Sequence, residues 1–514
     1  MNRNLKSLLC FGIILSVSAV VRLTGLSDRP MHTDEAVHGF KLGNMLQGEY
    51  RYDPDEYHGP ALNILTLPVA WLRNETHITN LSESTLRVVP VLFSLLTLWG
   101  LWKFRRAFGN RAACLIVILF ACSPVFFFYS RYYIQEILLV CFAVFAILSV
   151  YHYIQYPSSI RSLLPGVFLG LMHATKETWI LSLFAWGLTF LIFRRVYRFS
   201  LAGFRKRHLF LAMATAILIS SVFYSNFFTC PKGIIDSWLT YSNYFSRGAG
   251  NTLHLHPWTY YFHLLLFYRH ADGPLYSELF ILLAGIPGLG YAFKNITRQQ
   301  GLIRFIAIYT LILTLVYVLL PYKTPWLLLN FWLGWIILAG YGLTMLYTDL
   351  RRPVFRTLFI LLCITGMTHL GYQSLVLQTR NASSPSNPWT YAQPDRDIFR
   401  IGTAMHDIAS AHPDGLNMHI QIHYPGSEYW PLPWMLRDFT RIGWYDHVDM
   451  NGPAAPVILI PPVLESDLVE KLYLLPPPGK RHLYVPVFEN MPTLRPGAPV
   501  QIYIRQSIRD RDYG

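Results

Sequence analysis

Apolar runs of about 18 or more residues recur along the chain as far as residue 375. Each run is long enough to cross the hydrocarbon core of a membrane as a helix. Of the 514 residues, 53% are hydrophobic and only 14% are charged, whereas soluble domains carry about 25% charged residues. Because the chain lacks the polar surface that several water-exposed cores would need, we expect a polytopic membrane protein.

About eleven membrane spans can be placed on these runs. They lie near 7–26, 86–103, 112–129, 134–154, 162–173, 178–193, 209–228, 275–293, 302–320, 326–347 and 355–373. The first run follows Arg3 and Lys6, as in a signal peptide. It lacks a small-residue cleavage site and further spans follow, so we expect an uncleaved first helix.

Basic residues are concentrated in alternate loops, which indicates an orientation. With a cytoplasmic N-terminus, the inner loops contain Lys103, Arg105, Arg106, Arg111, Arg161, Arg194, Arg195, Arg198, Arg205, Lys206, Arg207, Lys294, Arg298, Arg304, Arg351, Arg352 and Arg356. Asp349 is the only acidic residue in these loops, so each loop obeys the positive-inside rule. We therefore expect a multi-pass protein of the cell inner (plasma) membrane, with its N-terminus in the cytoplasm and the long loops 27–85 and 229–274 outside.

Several functional classes are excluded by what the chain lacks. Its net charge of +14 is explained by the inner loops, and no basic stripe interleaved with base-stacking aromatics points to nucleic acid. Five of the six cysteines lie in apolar runs and Cys230 stands alone, so neither a disulfide framework nor a CxxC metal site is available. No GxGxxG or Walker A motif is present, which argues against a nucleotide-driven activity.

The composition changes near residue 380 to Pro, Asn, Asp and His, and no further span follows. Four segments have the pattern of strands: Asn417–Tyr424, Pro456–Ile460, His482–Phe488 and Val500–Arg505. Two segments have the pattern of helices: Arg396–Ala411 and Glu465–Tyr473. We therefore expect a membrane module over residues 1–379 and a small extracytoplasmic α/β domain over residues 380–514.

An adjacent acidic pair opens the first outer loop, in the run Arg29-Pro30-Met31-His32-Thr33-Asp34-Glu35-Ala36-Val37-His38. In a helix that starts at Asp34, Asp34 and His38 share a face and Glu35 points away. One carboxylate could then face a reaction centre while the other orients or neutralises a neighbour. The pair is also a good helix start with Thr33 or Asp34 as the cap, and in isolation that interpretation is favoured.

Further charged side chains are expected at the same membrane face. They are Arg131, Glu136, Lys176, Glu177 and Lys323, together with the segment Tyr52-Asp53-Pro54-Asp55-Glu56-Tyr57-His58-Gly59-Pro60. Cations in a water-filled cavity at span ends suit a phosphate or diphosphate group, and carboxylates beside them can act as a base or a metal ligand. The alternative is that these charges pair with one another and hold the helices together.

The ordered set of motifs resembles the GT-C membrane glycosyltransferases, which include protein O-mannosyltransferases and the aminoarabinose transferases of lipid A. It is most similar to the flippase-activity-associated glycosyltransferase-like family. The resemblance is carried by His32-Thr33-Asp34-Glu35-Ala36, Tyr52-Asp53-Pro54, His58-Gly59-Pro60, Ser130-Arg131-Tyr132, Glu136, Lys176-Glu177-Thr178, His256-Pro257-Trp258, Tyr260-Tyr261, Tyr322-Lys323-Thr324-Pro325-Trp326 and Trp430-Pro431-Leu432-Pro433-Trp434. It spans nearly the whole chain and implies an all-α polytopic fold of GT-C type.

The resemblance also implies a reaction: transfer of a sugar from a polyprenyl-phosphate carrier to an extracytoplasmic glycan, lipid or protein, with inversion at the anomeric carbon. Asp34 would be the general base, with Glu35 beside it in the catalytic pair. The phosphate-binding residues, and those that orient them, would be Arg131, Glu136, Lys176, Glu177, His256 and Lys323. The contacts to the acceptor or to the loops would come from His38, His58, Trp258 and Tyr322.

His254 and His256 stand two residues apart in the second outer loop. They could bind a divalent metal ion together with Asp34 or His58. The favoured interpretation is that they donate hydrogen bonds to a phosphate or line an aromatic wall with Trp258. The sequence requires no cofactor, and the need for a metal ion stays open.

Two other functions stay open as well. A transporter or an accessory of a flippase would usually place charges near the membrane midplane, with inverted repeats and broken helices. Here the charges gather at one face and no repeat is evident. A catalytically silent scaffold would be expected to lack the acidic pair, which is present. The sequence therefore favours a glycosyltransferase whose partners are a lipid-linked sugar, an acceptor and membrane lipids.

Overall fold

The computed structural model describes residues 3–55, 58–197, 205–248, 254–271, 273–294 and 300–512. The expected inner-loop residues Arg198 and Arg298 lie outside these ranges, as do Glu56 and Tyr57 of the first outer loop.

The described part of the membrane module is helical. Its helices are α1 Arg3–Leu23, α2 Thr33–Leu46, α3 Ala61–Leu72, α4 Glu83–Lys103, α5 Arg105–Phe108, α6 Asn110–Cys122, α7 Pro124–Tyr129, α8 Glu136–Gln155, α9 Ser159–Thr175, α10 Trp179–Val196, α11 Lys206–Tyr224, α12 Lys232–Gly248, α13 Tyr260–Leu266, α14 Leu279–Lys294, α15 Gly301–Leu319, α16 Leu329–Asp349 and α17 Pro353–Thr379. Ten of the eleven expected spans correspond to one of these helices each, and the span expected over 112–129 corresponds to α6 and α7.

Eight helical segments of the described residues are long and apolar enough to cross a membrane. The three other expected spans correspond to the shorter helices α6, α9 and α14. The single helix expected over 112–129 is divided at Ser123, because Pro124 starts a new helix and biases the preceding residue to an extended conformation. The prediction of a polytopic, mainly helical membrane protein is confirmed.

Helix α16 is the central helix of the module. Its apolar window is entirely buried, and it packs against α14, α6, α15 and α8. A helix that is apolar on every side is stable only where other apolar surface covers it. By contrast, most of the apolar surface of α1, α11 and α17 is open, as expected for helices that face lipid.

The outer segments are joined by short backbone pairings. His58 forms an antiparallel bridge with Lys176, and Leu255 forms one with Tyr322. A Cβ atom on Gly59 would lie 2.1 Å from the carbonyl oxygen of Ala174, so only glycine allows the first outer loop to approach the end of α9 this closely. The expected outer loops therefore meet at one end of the helical bundle.

The C-terminal part forms a small α/β domain. Its elements are α18 Asp397–Ala411, β1 Ile420–His423, α19 Leu432–Met435, β2 Ile442–Tyr445, β3 Val457–Ile460, α20 Glu465–Val469, β4 Tyr484–Pro486, β5 Gln501–Arg505 and α21 Gln506–Asp512. The sheet order is β2-β1-β3-β5-β4. β1 is parallel to β2 and β3, whereas β5 is antiparallel to β3 and β4. The sequence analysis missed β2, a partly buried edge strand whose Gly443 weakens the strand pattern.

This domain contacts the first outer loop through α19. The indole of Trp434 donates a hydrogen bond to Glu83 Oε1 at 2.8 Å. A Cβ atom on Gly39 would lie 2.4 Å from the Trp434 ring, so α2 needs a glycine where the ring packs. Arg437 donates to the carbonyl of Leu81 at 2.9 Å and stacks on Trp434. The domain is therefore held against the helix that carries the acidic pair.

Candidate active site

Glu35 lies in a buried network at the start of α2. Its carboxylate accepts hydrogen bonds from Arg29 Nη2 at 2.9 Å and from Arg87 Nε and Nη2 at 2.8 and 2.9 Å. It also accepts from the backbone N–H groups of His32 at 3.0 Å and Tyr133 at 2.9 Å. Two carboxylate oxygens offer about four lone-pair sites, so this set uses the full accepting capacity of Glu35.

The charge of Glu35 is fixed by its partners. Burial alone would raise the pKa of the carboxyl group, but Arg29 and Arg87 outweigh burial and hold the pKa well below its usual value. The side chain is fully buried. Glu35 is also part of a capping box whose N-cap is His32, not Thr33 or Asp34 as expected. The environment of Glu35 thus suits support of the loop, and it leaves no lone pair for an acceptor hydroxyl.

Asp34 differs from Glu35 because its carboxylate is partly exposed and has no arginine partner in the described residues. Its side chain is 41% exposed, and the imidazole of His32 lies near it, with 3.9 Å between His32 Nδ1 and Asp34 Oδ2. Its carboxylate also acts on His254: burial lowers the pKa of His254, and the charge of Asp34 opposes this shift. The carboxylate of Asp34 is therefore partly open to solvent, whereas that of Glu35 is buried.

A buried ion-pair cluster lies where α9 meets the first outer loop. Lys176 Nζ donates to Glu136 in a short hydrogen bond, and His58 Nδ1 lies 3.1 Å from Glu177 Oε2. Burial would lower the pKa of Lys176, but Glu136 and Glu177 outweigh it and raise the pKa above its usual value. Lys176 therefore stays cationic, with its ammonium group bonded to Glu136 and Glu177 bonded to His58.

Aromatic and histidine rings connect this cluster to Asp34. The rings of His38 and His58 are stacked with centroids 5.9 Å apart, and His38 lies one helical turn after Asp34 on α2. On the other side, the rings of His254 and Tyr322 are 5.4 Å apart, and Tyr322 acts electrostatically on Lys176.

We call this set of contacts the outer ring: Asp34, His38, His58, Lys176, Glu177, Tyr322 and His254. It combines one half-exposed carboxylate, one buried cation held by carboxylates, and polar rings between them. Such a set can accept a proton from a hydroxyl at one point and stabilise a phosphate at another.

Other expected site residues lie apart from the outer ring. Arg131 donates to the carbonyls of Val21 and Gly25 at 3.2 and 2.7 Å, on the side of α1. Lys323 Nζ donates to the carbonyls of His256, at 3.0 Å, and Leu320, so it joins the second outer loop to the end of α15. No hydrogen bond or ion pair connects Arg131 or Lys323 to Asp34 in the described ranges.

The second outer loop has an aromatic side. The ring of His256 stacks on Tyr260 with centroids 4.0 Å apart, and Trp258 is 62% exposed. His254 Nδ1 contacts the hydroxyl of Tyr391 in a short hydrogen bond. In the described part of the chain, no three His, Cys, Asp or Glu side chains form a group that could hold a metal ion. The set of Asp34, His254 and His256 therefore does not fit a metal site here.

The sequence analysis missed several residues that support the acidic pair. They are Arg29 and Arg87, which pair with Glu35; Gln393, which accepts from Arg29 and Tyr132; and Tyr391, whose carbonyl lies 2.9 Å from His32 Nε2. Arg87 stands near the start of an apolar span, a position that by itself marks a functional or paired charge. Gln393 and Tyr391 lie more than 350 residues from the acidic pair, so no spacing could reveal them.

The helical bundle, with an acidic pair at the start of α2 and a small α/β domain packed against that helix, resembles the fold of the GT-C membrane glycosyltransferases. Comparisons with known proteins confirm this resemblance. Residues 67–225 match the family model described as dolichyl-phosphate-mannose-protein mannosyltransferase. No curated protein shows a significant match.

Solved structures are similar over almost the whole chain. ArnT from Cupriavidus metallidurans in the apo state has a TM-score of 0.67 at 15% identity, covering 96% of this chain and 98% of ArnT. ArnT bound to undecaprenyl phosphate has a TM-score of 0.64 at 15% identity, with the same coverage of both chains.

Two larger proteins share the fold over part of their length. The archaeal oligosaccharyltransferase AglB from Archaeoglobus fulgidus, in complex with an inhibitory peptide and a dolichol-phosphate, has a TM-score of 0.53 at 13% identity, covering 84% of this chain and 63% of AglB. The arabinofuranosyltransferase AftD from Mycobacteria has a TM-score of 0.53 at 14% identity, covering 98% of this chain and 40% of AftD. The chain therefore has the GT-C fold, and membership of the flippase-associated family stays a prediction.

Proposed function

We propose that the chain is an integral membrane glycosyltransferase that moves a sugar from a polyprenyl-phosphate carrier to an acceptor outside the cytoplasm. The observation that carries this proposal is the division of the acidic pair: Glu35 is saturated by arginines, while Asp34 is open beside the outer ring. Support comes from the GT-C fold and from the undecaprenyl phosphate and dolichol-phosphate bound by two neighbours of that fold.

In the proposed reaction, Asp34 takes the proton of the acceptor hydroxyl as that oxygen attacks the anomeric carbon. The bond between the anomeric carbon and the phosphate oxygen breaks, and the lipid phosphate leaves with the bonding electron pair. Because a hydroxyl has a high pKa, proton transfer must accompany departure of the phosphate. Lys176 stabilises the leaving phosphate, and Glu136 and Glu177 hold Lys176 in place.

The location follows from the same proposal. We place residues 1–379 in the inner membrane with the N-terminus in the cytoplasm, and residues 380–514 outside. The support is that the basic loops lie at one end of the spans and the outer ring lies at the other. The alternative is a flippase-associated or transporter-like protein without transfer chemistry.

The test is mass spectrometry of lipid-linked sugars from host cells that lack the gene. We expect a polyprenyl-phosphate sugar to accumulate, and wild-type protein to remove it. Asp34→Asn should fail to remove it, whereas Glu49→Gln, at an exposed glutamate of the same loop, should succeed. Full complementation by Asp34→Asn would overturn the proposal of a glycosyltransferase and favour a flippase-associated protein without transfer chemistry.

A further inference from the structure

Buried arginines outnumber buried carboxylates at the outer end of α1. Arg22, Arg29, Arg87 and Arg131 are each at most 6% exposed, and Glu35 lies among them. Arg29 and Arg87 are paired with Glu35. A buried cation without an anionic partner is costly, so the two other arginines call for a source of negative charge.

Within the described ranges, the hydrogen bonds of Arg22 and Arg131 go to neutral groups, and Asp28 acts on Arg131 electrostatically without a hydrogen bond. Arg22 donates to the hydroxyl of Ser130 at 3.2 Å and to the carbonyl of Ala121 at 3.0 Å. Arg131 donates to the carbonyls of Val21 and Gly25, and its Nε–H is buried with no hydrogen-bond partner in the described residues. A buried guanidinium N–H without an acceptor is rare in folded proteins. It marks a position that a ligand oxygen would satisfy.

A cavity of about 580 Å³ opens beside Arg131, between the outer ends of α1 and α17 and the segment that follows α17. Gln378 lines it, and its Oε1 atom is buried without a donor in the described part of the chain. Arg380 and Arg396, both exposed, line its mouth. Asp28 and Asp395 also line the cavity, so three cations face two carboxylates.

The membrane side of the cavity is apolar, with Val20, Val21 and Leu375 in its lining. Helices α1 and α17 leave most of their apolar surface open below it. A ligand with an anionic head and hydrocarbon chains matches both parts: the head would meet the arginines and the chains would lie along the two helices. None of the residues of the outer ring lines this cavity.

We propose that this cavity is a second lipid site that binds the phosphate headgroup of an anionic membrane lipid. The phosphate accepts hydrogen bonds from Arg131 Nε and from Arg380 and Arg396 at the mouth, and a headgroup hydroxyl donates to Gln378. The bound lipid also supports the acidic pair, because the carbonyl of Arg131 accepts a hydrogen bond from Arg29 at 3.3 Å, and Arg29 pairs with Glu35.

The test is binding of dioleoyl phosphatidylglycerol to the purified full chain in detergent, followed by native mass spectrometry and thermal unfolding. Phosphatidylglycerol should bind and raise the unfolding temperature, whereas phosphatidylcholine and millimolar inorganic phosphate should not. The double variant Arg380→Gln/Arg396→Gln should weaken binding about 30-fold. The matched control Arg351→Gln/Arg352→Gln removes two exposed arginines near the opposite end of α17 and should leave binding unchanged.

Arg131→Gln removes the cation that lies deepest and should abolish binding if the variant folds; the double variant keeps the test valid if it does not. Equal binding of phosphatidylcholine, whose headgroup has the same phosphate but no net charge, would show that the net negative charge of the lipid is not recognised and would overturn the proposal. Inorganic phosphate that binds as tightly as the lipid would overturn the lipid assignment. Equal binding by the double variant and its control would overturn the assignment of the site.

Discussion

The two carboxylates of the acidic pair are neighbours in sequence but belong to different regions of the molecule. Glu35 lies in a dry region where arginines and backbone N–H groups take every lone pair. Asp34 lies in the outer ring, half exposed and beside polar rings. The difference shows that one helical start can hold two carboxylates in opposite environments: Glu35 fixes the loop through its hydrogen bonds, and the carboxylate of Asp34 stays partly exposed.

The largest effect should come from Asp34→Asn. Asn keeps the shape of the side chain, and the helix cap is provided by His32, so the fold should persist. The turnover number should fall by about 10²- to 10⁴-fold, which is the usual contribution of a positioned general base. The transfer rate of purified protein with the accumulated lipid-linked sugar measures this. A variant with a near-normal rate would show that Asp34 is not the general base, and the two carboxylates would then have no difference in catalytic role.

Glu35→Gln should lower the stability of the folded protein. Removing one partner from a buried ion pair leaves uncompensated charge, here Arg29 and Arg87, at a cost of about 3–5 kcal/mol. Thermal unfolding in detergent should show a clear loss relative to wild type, and Asp34→Asn serves as the matched control. Unchanged unfolding of Glu35→Gln with lost turnover would mean that Glu35 takes part in the chemistry.

Lys176→Gln should weaken binding of undecaprenyl phosphate by roughly 10- to 100-fold, the usual range for a lost charge-assisted hydrogen bond. Lys176→Arg should retain much of the affinity, because it keeps the charge between Glu136 and Glu177. The control is Lys232→Gln, at a lysine whose side chain is 80% exposed in the second outer loop. Equal affinity of Lys176→Gln and Lys232→Gln would remove Lys176 from the phosphate site.

The smallest expected effect is on the stability of the folded protein at acidic pH. Burial would raise the pKa of Glu177, but His58 and Lys176 outweigh it and hold the pKa below 4.5. A carboxyl with a lowered folded pKa contributes stability above its unfolded pKa, and this contribution is lost as pH falls through the folded pKa. His58→Asn should therefore reduce the stability that is lost as pH falls below the unfolded pKa of Glu177, because it removes the partner that lowers the folded pKa most.

The control for this measurement is His77→Asn, at an exposed histidine of the same loop. Acid unfolding followed by intrinsic fluorescence would give the pH dependence of all three proteins. If His58→Asn unfolds in acid like the wild type, the pair of His58 and Glu177 does not contribute to the stability of the folded protein.

Much of the fold could be predicted because each membrane span depends mainly on the residues of its own segment. Length and apolarity mark each helix, and the spacing of α2 placed Asp34 and Glu35 on different sides. The sequence could not show which of the two would be buried. That outcome depends on Arg87 in α4 and Gln393 after α17, whose contacts arise only when distant segments pack together.

The three cations expected at the site show the same limit of prediction from sequence. Arg131, Lys176 and Lys323 all follow from their place at span ends, but the direction of each side chain depends on its neighbours. Lys176 points to Glu136, Arg131 to carbonyls of the first helix, and Lys323 to carbonyls of its own loop region. A shared membrane face therefore did not imply a shared site.

The most direct test of the account is an experimental structure of Asp34→Asn with undecaprenyl phosphate bound. The account predicts phosphate density in the outer ring, with an oxygen within hydrogen-bond distance of Lys176 Nζ, roughly 2.7–2.9 Å, and open space between the phosphate and Asn at position 34 for a sugar. Glu35 should keep its contacts to Arg29 and Arg87. Phosphate density found only beside Arg131, with the outer ring closed by side chains, would contradict the account.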